Sequence, residues 1–206
     1  MEILPWLNGI NSFAVIIASV VAIWGINAWR REFEWKKKHD RAEETLTLFY
    51  QAKVLIAEIR YPLSNAKEGK NRKALPDETP EEKQALDRAN VVVERYNQRK
   101  EVFSKIHAMR YRFMALFGKD KVKPFDELFE IISEILFAAD YLGNYVWSKR
   151  NSDFSDPNEL KEFNQDRREY ESIFWFRGKN DPISPRVDAV IQEIEKICEP
   201  ILFSKK

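Results

Sequence analysis

Two histidines, one cysteine and a run of carboxylates are the residues of this 206-residue chain whose types could do chemistry. Their spacing argues against each familiar site. His39 and His107 fall on different predicted helices. His39 sits in a basic run, and His107 follows Ile106 beside an apolar line, where a packed, hydrogen-bonded ring is the expected role. A di-iron carboxylate bundle needs Glu-x-x-His pairs, and none occurs. No Cys/His spacing suits zinc, no glycine-rich loop suits a phosphate, and no G-x-S-x-G elbow presents a nucleophile. Asp126, Glu127, Glu130 and Glu134 read as the acidic start and exposed face of a helix. No catalytic, metal-binding or cofactor-binding residue is therefore expected, no cofactor is implied, and the chain is not expected to be an enzyme. A membrane-bound enzyme would need a polar pocket assembled from residues distant in sequence.

What remains are residues that could hold a surface, and the first of these is lipid. Residues 10–29, INSFAVIIASVVAIWGINAW, contain no charge. At 1.5 Å per residue, about twenty apolar residues span the roughly 30 Å hydrocarbon core of a bilayer, so the stretch predicts a transmembrane helix. Trp6 precedes it and Trp24, Trp29 and Trp35 mark its far end, the places where indoles favour the headgroup layer. Glu2 is the one charged side chain before the span, whereas Arg30, Arg31, Lys36, Lys37, Lys38 and Arg41 follow it. Orientation follows Lys and Arg, which puts a short N-terminus (residues 1–9) outside and the C-terminal part in the cytoplasm. A signal peptide would carry its basic residues before the apolar run.

The faces of the span suggest a second contact. Ala14, Ala18, Ala22 and Gly25 recur on one side together with Asn11, and small residues let two helices approach closely in lipid. Self-association through that face is expected. The basic residues 30–41 form a juxtamembrane stalk that should contact anionic headgroups, tempered by Glu32, Glu34 and Asp40. Phe174, Trp175 and Phe176 are apolar on all sides of their helix and are candidates for contact with a partner.

The elements that must position these surfaces are helical. Glycine is scarce, at six residues, and alternating strand-like runs are few, which predicts an all-α fold: the N-terminal transmembrane helix followed by an antiparallel bundle of about five helices over residues 42–206. Charged residues make up 33% with a net charge of only +1, the pattern of a solvated helical surface and not of a nucleic-acid binder. Cys198, the single cysteine, excludes an intrachain disulfide and suits a reducing compartment.

Along the chain, no Gly or Pro interrupts residues 26–61, so the span can continue straight into the first bundle helix, whose core line is Leu48, Ala52, Leu55 and Ile59. Residues 62–79 read as a polar loop or mobile excursion. Thr79, Pro80 and Glu82 announce the next helix, lined by Leu86, Ala89, Val93, Tyr96, Phe103, Ile106, Phe113 and Phe117 and stopped by Gly118. It is long enough to outrun its core. Phe125, Leu128, Ile132, Ile135, Ala139, Leu142 and Val146 fit the helical template at every step and predict the most buried helix, ending near Arg150. A fourth helix over residues 157–177 carries Leu160, Phe163, Tyr170 and Phe174. The last carries Val187, Val190, Ile194, Ile197 and Ile201, with Pro200 kinking or ending it.

The basic WRREFEW exit, the AEETLTLFYQAKVLIAEIR helix, the RYRFMALFG helix end and the DPISPRVDAVIQEIEKICEPIL terminus resemble bacterial single-pass membrane proteins with a helical cytoplasmic domain. The resemblance implies an inner-membrane setting and an architecture, with no activity or catalytic residue to carry over. The expectation is a membrane-anchored interaction or scaffold module that forms homo-oligomers, binds a cytoplasmic protein and does not bind nucleic acid. The competing expectation is a membrane-active effector of a toxin or phage-defence system, suggested by Asn11, Ser12, Ser19 and Asn27 within the span.

Overall fold

The computed structural model describes residues 4–203, with side chains from Val15 onward. Among the described residues the regular elements are all helical: α1 (Leu4–Ile59), α2 (Pro80–Phe117), α3 (Lys123–Tyr141), α4 (Pro157–Phe174) and α5 (Ser184–Leu202). A π-helical turn, Leu142–Val146, continues α3, and short 3-10 turns sit in three of the connections. The all-α expectation holds, and the five helices fall where the apolar periodicities lie.

α1 is a single helix of 56 residues, about 84 Å long, because nothing in its sequence after Gly25 interrupts the hydrogen-bond ladder before Pro62. Its distal third packs into the bundle, and its proximal part stands away from it. α2 begins with a reciprocal capping box: Glu82 N–H donates to the Thr79 hydroxyl at 3.2 Å, and Thr79 N–H donates to the Glu82 carboxylate at 2.9 Å. Gly118, at φ 98°, ends it in a conformation that side-chain-bearing residues rarely adopt.

Helix directions follow from the pairs that bridge them. Tyr50 and Lys53 of α1 meet Glu195 and Asp188 of α5, so these helices run antiparallel. Arg110 and Ala89 of α2 meet Asp126 and Gly143 at opposite ends of α3 and its π turn, which makes that pair antiparallel too. At the centre Phe49, Phe113 and Phe125 are fully buried, with ring centroids 4.8 Å (Phe49 to Phe125) and 5.3 Å (Phe113 to Phe125) apart. Burying such a side chain stabilises by roughly 1.5–3 kcal/mol. All seven positions of the α3 template are buried, as the spacing predicted.

Departures from the sequence reading have local causes. On α2 the buried line runs through Ala85, Ala89, Val92, Arg95, Phe103, Ile106, Met109 and Phe113, leaving Leu86, Val93, Tyr96 and Phe117 half-buried. The face rotates because the π turn presses Gly143 against α2, where an added Cβ would lie 2.6 Å from the Ala89 Cβ. α2 does not outrun its core; its first half packs on that turn and on residues 61–79. Those residues form the irregular polar loop of the sequence reading, tied by hydrogen bonds to α2. Arg72 bridges Glu78 and Asp87, Glu94 accepts from Gly69 N–H and Asn71, and Asn90 donates to the Gly69 carbonyl. α3 leaves regular α geometry at Tyr141 instead of reaching Arg150, and α5 passes Pro200 to end at Leu202.

Candidate functional site

The proximal arm of α1 is the feature without an intramolecular explanation. Its large side chains, Val15, Ile16, Ile17, Val20, Val21, Ile23, Trp24, Ile26 and Trp29, are all exposed, from 52% at Ile17 to 68% at Trp24. Successive residues of a helix turn by about 100°, so these positions surround the axis: the arm is apolar on every side and covered on none. Ser19 donates to the Val15 carbonyl at 2.8 Å, which satisfies its hydroxyl within the helix. Ala18, Ala22 and Gly25 are exposed, and a Cβ added at Gly25 would meet nothing within 4 Å, so the small-residue face is open. The side chains of Asn11 and Ala14, the other two members of that face, lie outside the described residues.

Among the described residues no helix is long and apolar enough to cross a membrane. The uncharged part with described side chains runs only from residue 15 to residue 29, short of the about twenty residues a span requires.

Beyond the arm the character changes within one turn. Trp29 stacks on Phe33 at 5.8 Å and Trp35 on His39 at 4.9 Å, and Arg30, Arg31, Lys36, Lys37 and Lys38 are exposed around them. Arg41 is half-buried and paired with Glu44. Ala42 is the first fully buried residue of the bundle, about 20 Å along the axis from Trp29. The stalk is thus a rigid helical spacer.

The other residues singled out by sequence scatter. Phe174 is fully buried, edge-on to Trp147 and Trp175, so it builds the core instead of a contact surface; Trp175 is half-buried and Phe176 is exposed. His107 does not pack inward as expected: it is exposed, its ring edge-on to Tyr111 and Phe129. Asp126 pairs with Arg110, Glu127 with Lys123 and Glu134 with Arg186, which ties these carboxylates into surface ion pairs. Cys198 is fully buried, and burial pushes its thiol up to about 12, so no thiolate forms near neutrality. Among the described residues no group of His, Cys, Asp and Glu could hold a metal ion.

Two buried arginines went unnoticed in the sequence. Arg60, 1% exposed, donates to both carboxylate oxygens of Asp181 and to the carbonyls of Ser172, Ile173 and Trp175. It therefore caps the C-terminus of α4, which stops at Phe174 rather than Arg177; the next backbone turns extended, and Phe176 N–H donates to the Arg60 carbonyl. Asp181 in turn accepts from Ser184 N–H at the start of α5. Burial would raise the Asp181 pKa, but the Arg60 and Ser184 hydrogen bonds outweigh it and hold the carboxyl at about 2. Arg95 does the same for α1, donating to the carbonyls of Glu58 and Ile59 at its end, to those of Tyr61 and Leu63 just beyond and, bidentate, to Glu68. The available signals were an arginine ending an apolar face just before Pro62, and one placed on the line of Val92 and Ala89.

Arg95 also borders a groove on the bundle surface beside α1. It holds about 580 Å³ and is lined by Lys53, Val54, Ala57, Glu58, Tyr61, Glu68, Arg95 and Arg99. Its walls are mostly side chains already engaged in ion pairs: Lys53 with Asp188, Glu58 with Arg99 and Glu68 with Arg95. That arrangement suits a docking surface better than a reaction centre. Compared with known protein families, with characterised proteins and with solved structures, the chain matches none of them.

Proposed function

We propose that this protein is a membrane-anchored helical interaction module. The arm of α1 is lipid-solvated, and the bundle, on its basic stalk, binds a protein partner in the cytoplasm. The observation that carries this reading is the arm itself, apolar on all sides, exposed, and ended by Trp29 and Phe33 and then by five exposed cations. With the five uncharged residues that precede Val15 in the sequence, the run from Ile10 to Trp29 reaches twenty residues, the length a bilayer requires. Arg30 and Arg31 then lie in the headgroup layer, and Lys36, Lys37 and Lys38 about 8–12 Å further along the axis, within reach of an anionic leaflet. The open Ala18, Ala22 and Gly25 face supports self-association of the anchor.

Arginine near the centre of a span costs about 2.5–3.5 kcal/mol per residue on insertion scales. The variant Ile17→Arg, Val21→Arg should therefore move the protein from the alkaline-carbonate-resistant membrane fraction to the supernatant, and a C-terminal reporter on the wild type should be active only in the cytoplasm. A wild-type chain extracted by carbonate would overturn the anchor. Dye entry into expressing cells that depends on residues 10–29 would replace the module with the effector.

A further inference from the structure

The outward face of α1 carries a second pattern that the bundle leaves uncovered. Tyr50, Val54, Ala57 and Tyr61 follow one another at steps of four, three and four, and all are exposed, at 44%, 57% and 52% for Tyr50, Val54 and Tyr61. These are the steps of a heptad seam. α1 ends at Ile59, so Tyr50, Val54 and Ala57 share its outward face, over which a straight helix drifts only about 20° from a 3.5-residue repeat, and Tyr61 follows in the connection just beyond it. Val54, Ala57 and Tyr61 also form the floor of the 580 Å³ groove. Continued toward the N-terminus in the same rhythm, the seam passes through Thr47, Glu43, Asp40 and Lys36 to Phe33, Trp29, Ile26 and Ala22, every one of them exposed.

We propose that a second copy of this chain docks on this face, α1 against α1 in parallel about a two-fold axis, so that the bundles pair as well as the anchors. This rests on the anchoring reading only for the parallel direction, because two copies inserted the same way cannot pair head to tail. The argument for a second copy is charge. In a parallel pair the residue just before every second seam position, here Phe33, Asp40, Thr47 and Val54, faces the residue five further on in the other chain. Lys53 flanks Val54, and the residue five on is Glu58, so Lys53 of each copy meets Glu58 of the other, twice by symmetry. Within its own chain Lys53 lies 2.7 Å from Asp188 and Glu58 lies 2.9 Å from Arg99. Pairing therefore strings Asp188, Lys53, Glu58 and Arg99 into one alternating chain of charges across the axis. The same rule sets Glu32 against Lys37. Both pairings are complementary, whereas an unrelated partner has no reason to match them. Lys36, Asp40, Glu43 and Thr47 take the middle seam positions, where each charged residue faces its own symmetry mate; like charges repel there, so that stretch stays apart and hydrated and the helices pair at its two apolar ends.

The test uses the full-length protein in native membranes. Cys198 is fully buried and does not react, so Val54→Cys and Ala57→Cys each supply one accessible thiol. Oxidation with copper phenanthroline should join either variant into a covalent dimer at least tenfold faster than Ser152→Cys, an exposed control far from α1. Adding Lys53→Glu or Glu58→Lys to Val54→Cys should slow cross-linking about tenfold for each variant alone. Mixing the two, differently tagged, should restore it as the heterodimer, in which both cross-axis pairs are again opposite. The contacts with Asp188 and Arg99 are identical in the homodimers and the mixture, so they cancel. Seam thiols that react no faster than Ser152→Cys, or a mixture without heterodimer preference, overturn the inference. Either result with the chain still carbonate-resistant leaves the anchor standing. A chain that fails to enter membranes removes the anchor while the cross-linking remains readable in solution.

Discussion

Replacing Arg60 with methionine should be among the most damaging single changes to this fold. The aliphatic stem is kept, but five hydrogen bonds disappear: two to Asp181, and those to the carbonyls of Ile173 at 2.7 Å, Ser172 at 2.8 Å and Trp175 at 3.2 Å. Asp181 is 5% exposed and would be left as a buried charge held only by Ser184. Removing one partner of a buried ion pair costs about 3–5 kcal/mol, because the other stays desolvated without compensation. At about 2–4 °C per kcal/mol for a chain of this size, the melting temperature should fall by roughly 6–20 °C. The assay is thermal unfolding of the full chain in a mild detergent, followed by circular dichroism. The double variant Arg60→Met, Asp181→Leu removes the stranded carboxylate and should recover part of the loss, giving a coupling energy of about 1 kcal/mol or more. A single variant within about 1 kcal/mol of wild type, or a double variant as unstable as the sum of the singles, would refute the reasoning. The first result would mean that water replaces the guanidinium at the junction of α1, α4 and α5.

Other outcomes follow from the same structure. Asp181 is held at about 2, below its ordinary 3.8, so the stability it contributes is complete above pH 4 and is lost as the pH falls through about 2. At 1.36 kcal/mol per pKa unit this is roughly 2 kcal/mol, and Asp181→Asn should flatten the stability curve in that window relative to wild type, as measured by urea titration at stepped pH. Gly69→Ala should destabilise by about 2 kcal/mol or more, because Gly69 has φ 82° and a Cβ there would lie 2.0 Å from the Asp87 carbonyl oxygen; denaturant midpoints check it. Cys198 should resist alkylation at pH 8 until the chain opens, since burial pushes its thiol up to about 12. Labelling by iodoacetamide at the rate of a free thiol would contradict its place in the core.

One continuous helix serves both halves of the molecule, and this shapes what a perturbation can do. Turning or shifting the arm of α1 turns Tyr50, Val54 and Ala57 with it, since no Gly or Pro lies between them after Gly25 to absorb the motion. Arg60 and Arg95 lock the far end of the same helix to α4, α5 and the 61–79 connection. The pairing proposed for the arm and that proposed for the bundle therefore involve one continuous helix.

Much of this architecture was determined by local pattern. The seven buried positions of α3, the Thr79–Glu82 capping box and the Gly118 stop depend on residues within a few turns of one another, and such short-range rules are legible in a single chain. The uncharged run and the cations after it are equally local. Tertiary structure alone decided the rest. Which face of α2 is buried depends on Gly143, 54 residues away in sequence from Ala89. That Phe174 is core while Phe176 is surface depends on where Arg60 ends α4. The Arg60–Asp181 clamp joins residues 121 apart, and no periodicity encodes a pair whose reason is the shared desolvation of two charges at a helix junction. The exposed apolar positions Val54 and Ala57 of α1 gain meaning only once the bundle has covered Phe49, Ala52, Ile56 and Ile59, because an apolar spacing becomes a surface only when folding leaves it in water.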